Sequence, residues 1–329
     1  MSVSVASVTL AFNAAQVLPR QLEALLRQVR PLQEVIVVDN GSSDGTSEML
    51  AEHYPQVTVL RMKENEGAAG AWARGLAYAA LEKGHDWVWS FDDDSVPTTD
   101  ALARLLGGID SLDGAQAEVG IVAPMPVHPG TRKRYPPWFW RNGFVKPTDE
   151  QASQSVWFAD MAIASGSLVR REVVREIGVP RADFFMDVFD FEYCLRIRSH
   201  GYKIAVITRA EMSHEIGNTR KINLLGYKRL WMNQPPWREY YMSRNLTYLA
   251  WWLLPNIAVK RSVIRHLVSH MGGVALFSSW KLACLTRMVQ GFHDGLRGRL
   301  GIRLRPGADR LQSLGGALRP AEHIKAEKA

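Results

Sequence analysis

Cysteine is nearly absent: the 329 residues hold two, Cys194 and Cys284, far apart and without metal-ligand spacing. That excludes a disulfide scaffold and a thiolate metal centre, and makes a reducing compartment the default. The start, Met1-Ser2-Val3-Ser4-Val5, has no basic stretch followed by an apolar one, so no secretory leader is read there and the expected location is the cytoplasm. Long apolar runs are lacking too. The most apolar stretch, Leu246 to Val259, is broken by Pro255 and Asn256 and falls short of the roughly 20 residues that a spanning helix needs. No internal repeat is visible, and nucleic acid is not among the expected partners.

What is present suits a large globular core. Hydrophobic residues make up 47% and charged ones 22%, and the length calls for one large α/β domain with an appendage, or for two domains. Forty Lys and Arg against 33 Asp and Glu give +7. The basic residues gather late, from Lys260, Arg261 and Arg265 to Arg299, Arg303 and Arg305, which points to a polyanionic partner or to an anionic membrane surface, the inner face of the plasma membrane.

Strand and helix signals alternate through the first hundred residues. Val5 to Phe12, Glu34 to Asp39, Val57 to Leu60 and Trp87 to Phe91 read as strands of a parallel sheet buried on both faces. Between them lie helices through Leu18–Leu26, through Met49 and Leu50 with Ser43 or Asp44 as cap, and from Gly67 to Leu81. Asn13, Asp39, Asn65 and Asp92 to Asp94 all fall at or beyond strand carboxyl ends, the ligand-binding edge of such a sheet. From about Leu102 to His214 a less regular half completes the domain. Beyond Ile216 the chain reads as helices, and past Arg305 as a loose tail. The division expected is a catalytic domain at 1–215, split at about residue 98, a helical region at 216–305, and a tail at 306–329.

Three carboxylates in a row, Asp92-Asp93-Asp94, repel one another: a like-charged pair at 4 Å costs about 4 kcal/mol at an effective dielectric of 20. A bound divalent cation reverses that sign, and hard oxygen ligands suit Mg²⁺ or Mn²⁺. The alternative is a solvated acidic loop. A second acidic cluster, Asp187, Asp190 and Glu192, sits inside the aromatic run Phe184 to Tyr193, where carboxylates are costly unless paired or used. Either Asp190 caps a helix with Glu192 pairing Arg196 at i+4, or these carboxylates do chemistry.

The ordered set Phe12-Asn13, Val37-Val38-Asp39-Asn40-Gly41-Ser42-Ser43-Asp44-Gly45-Thr46, Asn65-Glu66-Gly67-Ala68-Ala69-Gly70 and Phe91-Asp92-Asp93-Asp94 resembles the inverting family 2 glycosyltransferases of GT-A fold, over roughly residues 5–215. The resemblance implies a Rossmann-like, mostly parallel α/β sheet flanked by helices, here with a C-terminal helical appendage. It implies a UDP- or dTDP-sugar donor held by Phe12, Asn13, Asp39, Asn65, Asp92 and Asp93, with Asp39 on the base. Asp94, with Asp92 and His214 of the later His-x-x-Gly, would hold the metal. Asp190 maps to the general base and Glu192 to the acceptor-orienting glutamate. Where many relatives carry Asn, this chain has Ala71-Trp72-Ala73-Arg74, so Arg74 either meets base or phosphate or is a solvated helix residue. Asp187 three before Asp190, in Phe185-Met186-Asp187-Val188-Phe189-Asp190, and the later Tyr240-Tyr241-Met242-Ser243-Arg244-Asn245 resemble rhamnosyltransferases. The triple aspartate and Gly67-Ala68-Ala69-Gly70 resemble galactofuranosyltransferases.

The acceptor expected is a cell-surface glycan or a lipid-linked saccharide, with Trp138, Trp140 and Trp157 either an acceptor platform or core. Trp231, Trp237, Trp251 and Trp252 with the late basic residues suit a helix pair lying on anionic lipid; packing on the catalytic domain or a homodimer interface are the other readings. A nucleotidyltransferase would want a Gly-rich basic loop where Phe12-Asn13-Ala14-Ala15 stands, and a non-catalytic glycan-binding protein would have lost the carboxylates.

Overall fold

A computed structural model describes residues 3–112, 114, 116–141, 143–214, 219–224 and 227–306, with only the backbone given for 219–224 and 227–230. Strands β1 (Val5–Ala11), β2 (Glu34–Asp39), β3 (Thr58–Arg61) and β4 (Trp87–Asp92) alternate with helices α1 (Leu18–Leu26), α2 (Thr46–His53) and α3 (Gly67–Ala77). Then come β5 (Val96–Pro97), α4 (Ala101–Asp110), β6 (Val119–Val127), a small pair β7 (Phe139–Trp140) and β8 (Phe144–Val145), α5 (Asp149–Ser153), β9 (Val156–Ala159), β10 (Leu168–Arg170), α6 (Arg171–Ile177), α7 (Phe189–Ser199) and β11 (Lys203–Ser213).

One nine-stranded sheet runs β3-β2-β1-β4-β10-β6-β11-β5, with β9 on β11. β1 pairs in parallel with β2 and β4, and β2 with β3, as the alternation of strand and helix requires. β10 is antiparallel to both of its neighbours, so β6 and β11 run the same way as β1 to β4. Period-two alternation sends Val8, Ile36, Val38 and Val88 into one core and Val35, Val37, Trp89 and Phe91 into the other, one on each face of the sheet. The start of α2 differs in detail from the expected cap: Gly45, at φ +89°, precedes the helix, and Asp44 Oδ1 takes the Thr46 N–H at 3.1 Å.

After β11 the reading as helices needs one correction. Thr219–Leu224 and Tyr227–Met232 form an antiparallel hairpin, β12 and β13. Its β-branched and aromatic residues, among them Thr219, Ile222, Tyr227 and Trp231, favour strand over helix. Helices α8 (Pro236–Tyr248), α9 (Ile257–Phe277) and α10 (Lys281–Leu296) follow. α10 approaches α8 at Gly291, where a Cβ would stand 2.2 Å from the Tyr240 carbonyl oxygen, so no larger residue fits that crossing. Among the described residues, no helix is long and apolar enough to cross a membrane. The expected tail beyond residue 306 lies outside the described residues, as does Gly217 of the His-x-x-Gly.

Candidate active site

Register brings the strand ends together. Ala11 of β1 faces Asp39 of β2, and Leu10 faces Asp92 of β4, so the polar residues that close these strands share one edge. Asp39 is fully buried; its Oδ1 accepts the Ser42 N–H at 3.0 Å and its Oδ2 the Ser47 hydroxyl. Asn13, at φ +52°, accepts the Ser43 N–H on Oδ1 at 2.8 Å, which joins the loop after β1 to the turn after β2. Asn65 Oδ1 accepts from Gly67 N at 2.8 Å and from Asn40 Nδ2 at 3.2 Å. The Phe12 N–H points to Asp93 Oδ2 at 3.4 Å.

The carboxylate triplet is shaped from three sides. Gln21, buried in α1, donates from Nε2 to the carbonyls of Asp92 and, at 2.7 Å, Ser95. β5, directly after the triplet, pairs antiparallel with the end of β11, Val96 against Ser213. That pairing delivers His214 to Asp94 and Ser95 from far along the chain: Nδ1 lies 3.5 Å from Asp94 Oδ1 and 2.7 Å from Ser95 Oγ. Ser165 closes the network by accepting the Asp92 N–H at 3.1 Å and donating to Ser95 Oγ at 2.7 Å.

Ligand atoms of Asp92, Asp94 and His214 all lie within 4.8 Å of one another. Burial pushes the Asp92 carboxyl above its ordinary range, and burial with the charges of Asp92 and Asp94 raises Asp93 to about 7. Burial works against a charged His214, but Asp94 and Asp92 outweigh it and hold the imidazole above its usual value. Two carboxylates that repel each other, with an imidazole beside them, form a donor set that fits Mn²⁺ or Mg²⁺.

Asp190 lies in the first turn of α7. Its Oδ1 accepts the Phe191 N–H at 2.9 Å. Burial, helped by the charges of Asp187 and Asp92, raises its carboxyl to about 7, so it sits within the field of the triplet. The helix is seated by Trp72, fully buried in α3 and edge-on to Phe189 at 5.8 Å and Tyr193 at 5.5 Å. Trp72 thus packs α3 against the helix that bears Asp190.

Three expected residues stand apart from this cluster. Glu192 is buried and binds Arg196 at 3.0 and 3.1 Å, while Arg196 also donates to the carbonyls of Ile177 and Val179; its carboxylate is committed to holding α7. Arg74 is exposed and paired with Glu82 at 2.6 Å, with its guanidinium over Tyr78. Trp157 is core, whereas Trp138 and Trp140 meet Phe144 edge-on, and Phe144 meets Phe191 beside Asp190. The sequence carries no signal for Gln21, Ser165 and Arg238, since their contacts are long-range hydrogen bonds that leave no local pattern. Cys194 is buried, and burial pushes its thiol up to about 12, so it stays protonated.

The family model described as Glycosyl transferase family 2 matches residues 7–178. The chain is 27% identical over 292 residues to the dTDP-rhamnosyl transferase RfbF of Shigella flexneri, covering 86% of this chain and 93% of that protein. It is 28% identical over 260 residues to the galactofuranosyltransferase GlfT1 of Mycobacterium tuberculosis, covering 76% and 83%. Among solved structures it is similar to GalNAc-T7 with UDP, GalNAc and Mn²⁺, with a TM-score of 0.59 and 15% identity over 90% of this chain. The match spans 56% of that longer protein and shows the GT-A glycosyltransferase fold.

Proposed function

The chain belongs to glycosyl transferase family 2 and is a glycosyltransferase, and from that premise we propose a metal-dependent, inverting transfer of rhamnose or galactofuranose. The donor is a UDP- or dTDP-sugar, and the acceptor a hydroxyl of a cell-surface glycan or lipid-linked saccharide. One observation carries the reading: Asp92, Asp94 and His214 converge within 4.8 Å at the strand edge that also bears Asp39.

In this reading residues 1–98 take the donor and 99–215 the acceptor. Asp39 still has free lone pairs on both oxygens and accepts the ring N–H of a uracil or thymine. The main chain of Phe12 and Asn13 and the Asn65 turn wall the nucleoside, and Asp93 faces the ribose. Asp92, Asp94 and His214 would hold Mn²⁺ or Mg²⁺, which would supply positive charge against the donor diphosphate. Asp190 takes the proton from the acceptor hydroxyl as that oxygen attacks the anomeric carbon opposite the diphosphate, which inverts the centre. Trp138 and Trp140 offer apolar faces to the acceptor sugar.

The region 216–305 brings the enzyme to an anionic membrane. Trp231, Trp237 and Trp251 are partly buried against His270, Tyr241 and Phe292, so the lipid-facing residues are Trp252, which is exposed, and the exposed aliphatics of α9 and α10. The test of the whole reading is nucleoside diphosphate release from UDP-galactofuranose and from dTDP-rhamnose, with Mn²⁺ and with EDTA. Release of one, slow without acceptor and lost in EDTA, is expected. No release or binding of either donor, or full turnover in EDTA, overturns it.

A further inference from the structure

The motif Tyr240-Tyr241-Met242-Ser243-Arg244-Asn245 in α8 touches neither the triplet nor the nucleotide loops, yet Arg244 and Asn245 are completely buried. A buried guanidinium is costly unless its donors are satisfied. Here they go to main-chain carbonyls: Nη1 to Gly301 at 2.6 Å, and Nη2 to Asp183 at 3.1 Å and Phe184 at 2.8 Å. Its Nε donates to Asn245 Oδ1 at 2.8 Å, which orients that amide. Asn245 Nδ2 in turn serves three carbonyls, of Phe184 at 3.0 Å, Met186 at 2.7 Å and Asp187 at 2.9 Å.

The segment so gripped is strained. Phe185, Asp187 and Val188 have φ of +63°, +57° and +67°, a region that non-glycine residues avoid, β-branched Val most of all. Val188 in this conformation is the residue from which α7 starts, two before Asp190. Such a turn persists only where its surroundings over-determine it. On the other side Gly67 closes it: a Cβ there would stand 2.1 Å from the Phe185 oxygen, and Ala69 N donates to that same oxygen at 3.1 Å.

We propose that Arg244 and Asn245 are positioning residues for the transfer reaction, clamping the 183–188 turn, with its left-handed Phe185, Asp187 and Val188, so that Asp190 is held in place in the first turn of α7. The inference rests on Asp190 being the base. Freed of the clamp, Val188 relaxes toward right-handed backbone and rotates the first turn of α7. Lysine cannot replace Arg244, since one ammonium cannot span carbonyls from residues 183, 184 and 301.

The test compares Arg244→Lys and Asn245→Ser with Ser243→Ala, whose hydroxyl bonds the Met288 carbonyl on the α10 side of the same helix. Expected are a kcat at least thirtyfold lower for Arg244→Lys and Asn245→Ser, donor KM within threefold of the parent, and amide exchange in 185–188 at least tenfold faster. Ser243→Ala keeps kcat within twofold even where its Tm falls. Should kcat follow Tm across all three variants, or exchange in 185–188 stay unchanged, the clamp is not a positioning device. If Asn245→Ser does not fold, Arg244→Lys decides by the same readouts. A parent enzyme without transferase activity defeats the functional reading instead, and the exchange measurement still judges the clamp.

Discussion

The Arg238 guanidinium grips the Asp187 carboxylate through three hydrogen bonds, Nε to both oxygens at 3.1 and 3.0 Å and Nη2 to Oδ1 at 2.9 Å, three residues before Asp190. Asp190 carries no such cation among the described residues. A carboxylate held by a guanidinium is a poor proton acceptor, because the ion pair must be given up as it is protonated. Asp190→Asn should therefore lower transfer by at least about 10²-fold with donor affinity nearly unchanged, the mark of an interaction made mainly in the transition state. Asp187→Asn should lose less in kcat and more in Tm, since it strands a partly buried Arg238. Near-native turnover in Asp190→Asn with turnover lost in Asp187→Asn would reassign the base to Asp187.

A carboxyl raised to about 7 has two pH signatures. The base works ionised, so transfer should fall as pH drops through about 7. For stability, the folded state binds this proton more tightly than the unfolded chain, so the group favours folding at low pH and that advantage is lost as pH rises from about 4 to 7. Asp190→Asn should consequently raise Tm more at pH 8 than at pH 5. Calorimetry at the two values checks the sign, and an equal shift at both would show that the carboxyl is not held protonated by the fold.

The legible parts of the molecule are those that write a local pattern. Continuous apolar runs such as Val35 to Val38 announce strands buried on both faces, and the polar residues just past them meet at one edge of the sheet. Asp190 stood out as a carboxylate among aromatics. Glu192 stood out for the same reason, yet its charge is spent on Arg196, four residues on; spacing alone permitted both readings. What stayed illegible works at a distance in sequence: Gln21 on Asp92, Ser165 on Ser95, Arg244 on Phe184. The hairpin after β11 is hard to read in sequence because basic and polar residues mask its alternation.

Metal dependence should separate affinity from stability. Asp94 is exposed and sits between the like charges of Asp92 and Asp93 and the His214 imidazole, so in Asp94→Ala the relieved repulsion offsets the lost histidine contact and Tm should stay within a few degrees. Without that ligand, donor binding in Mn²⁺ or Mg²⁺ should be abolished. His214→Ala should raise the Mn²⁺ concentration needed for half-maximal activity, and isothermal titration of Mn²⁺ alone reports the same change without turnover. Full activity of either variant at limiting Mn²⁺ would remove the residue from the site.

The C-terminal helices make the last prediction. α9 contains no acidic residue from Ile257 to Phe277 and exposes Ile257 at 64%, Val268 at 63% and Leu276 at 65%, while Leu282 at the start of α10 is 80% exposed. Arg261, Arg265 and Lys281 are exposed on the same two helices. Burying one such aliphatic side chain is worth about 1.5–3 kcal/mol, and each basic residue near an anionic surface about 1 kcal/mol, so both terms contribute to binding. The two terms separate by salt, because only the charge term is screened, with a Debye length near 10 Å at 0.1 M. Arg261→Glu with Arg265→Glu and Lys281→Glu should weaken co-sedimentation with anionic vesicles, most at low salt. Leu276→Ser with Leu282→Ser should weaken it alike at low and high salt, and neither set should move Tm by more than a few degrees, since all five side chains are exposed. Equal binding of the parent protein to neutral and anionic vesicles would remove the charge from the account, and no binding to either would leave the apolar stripe to a protein surface instead.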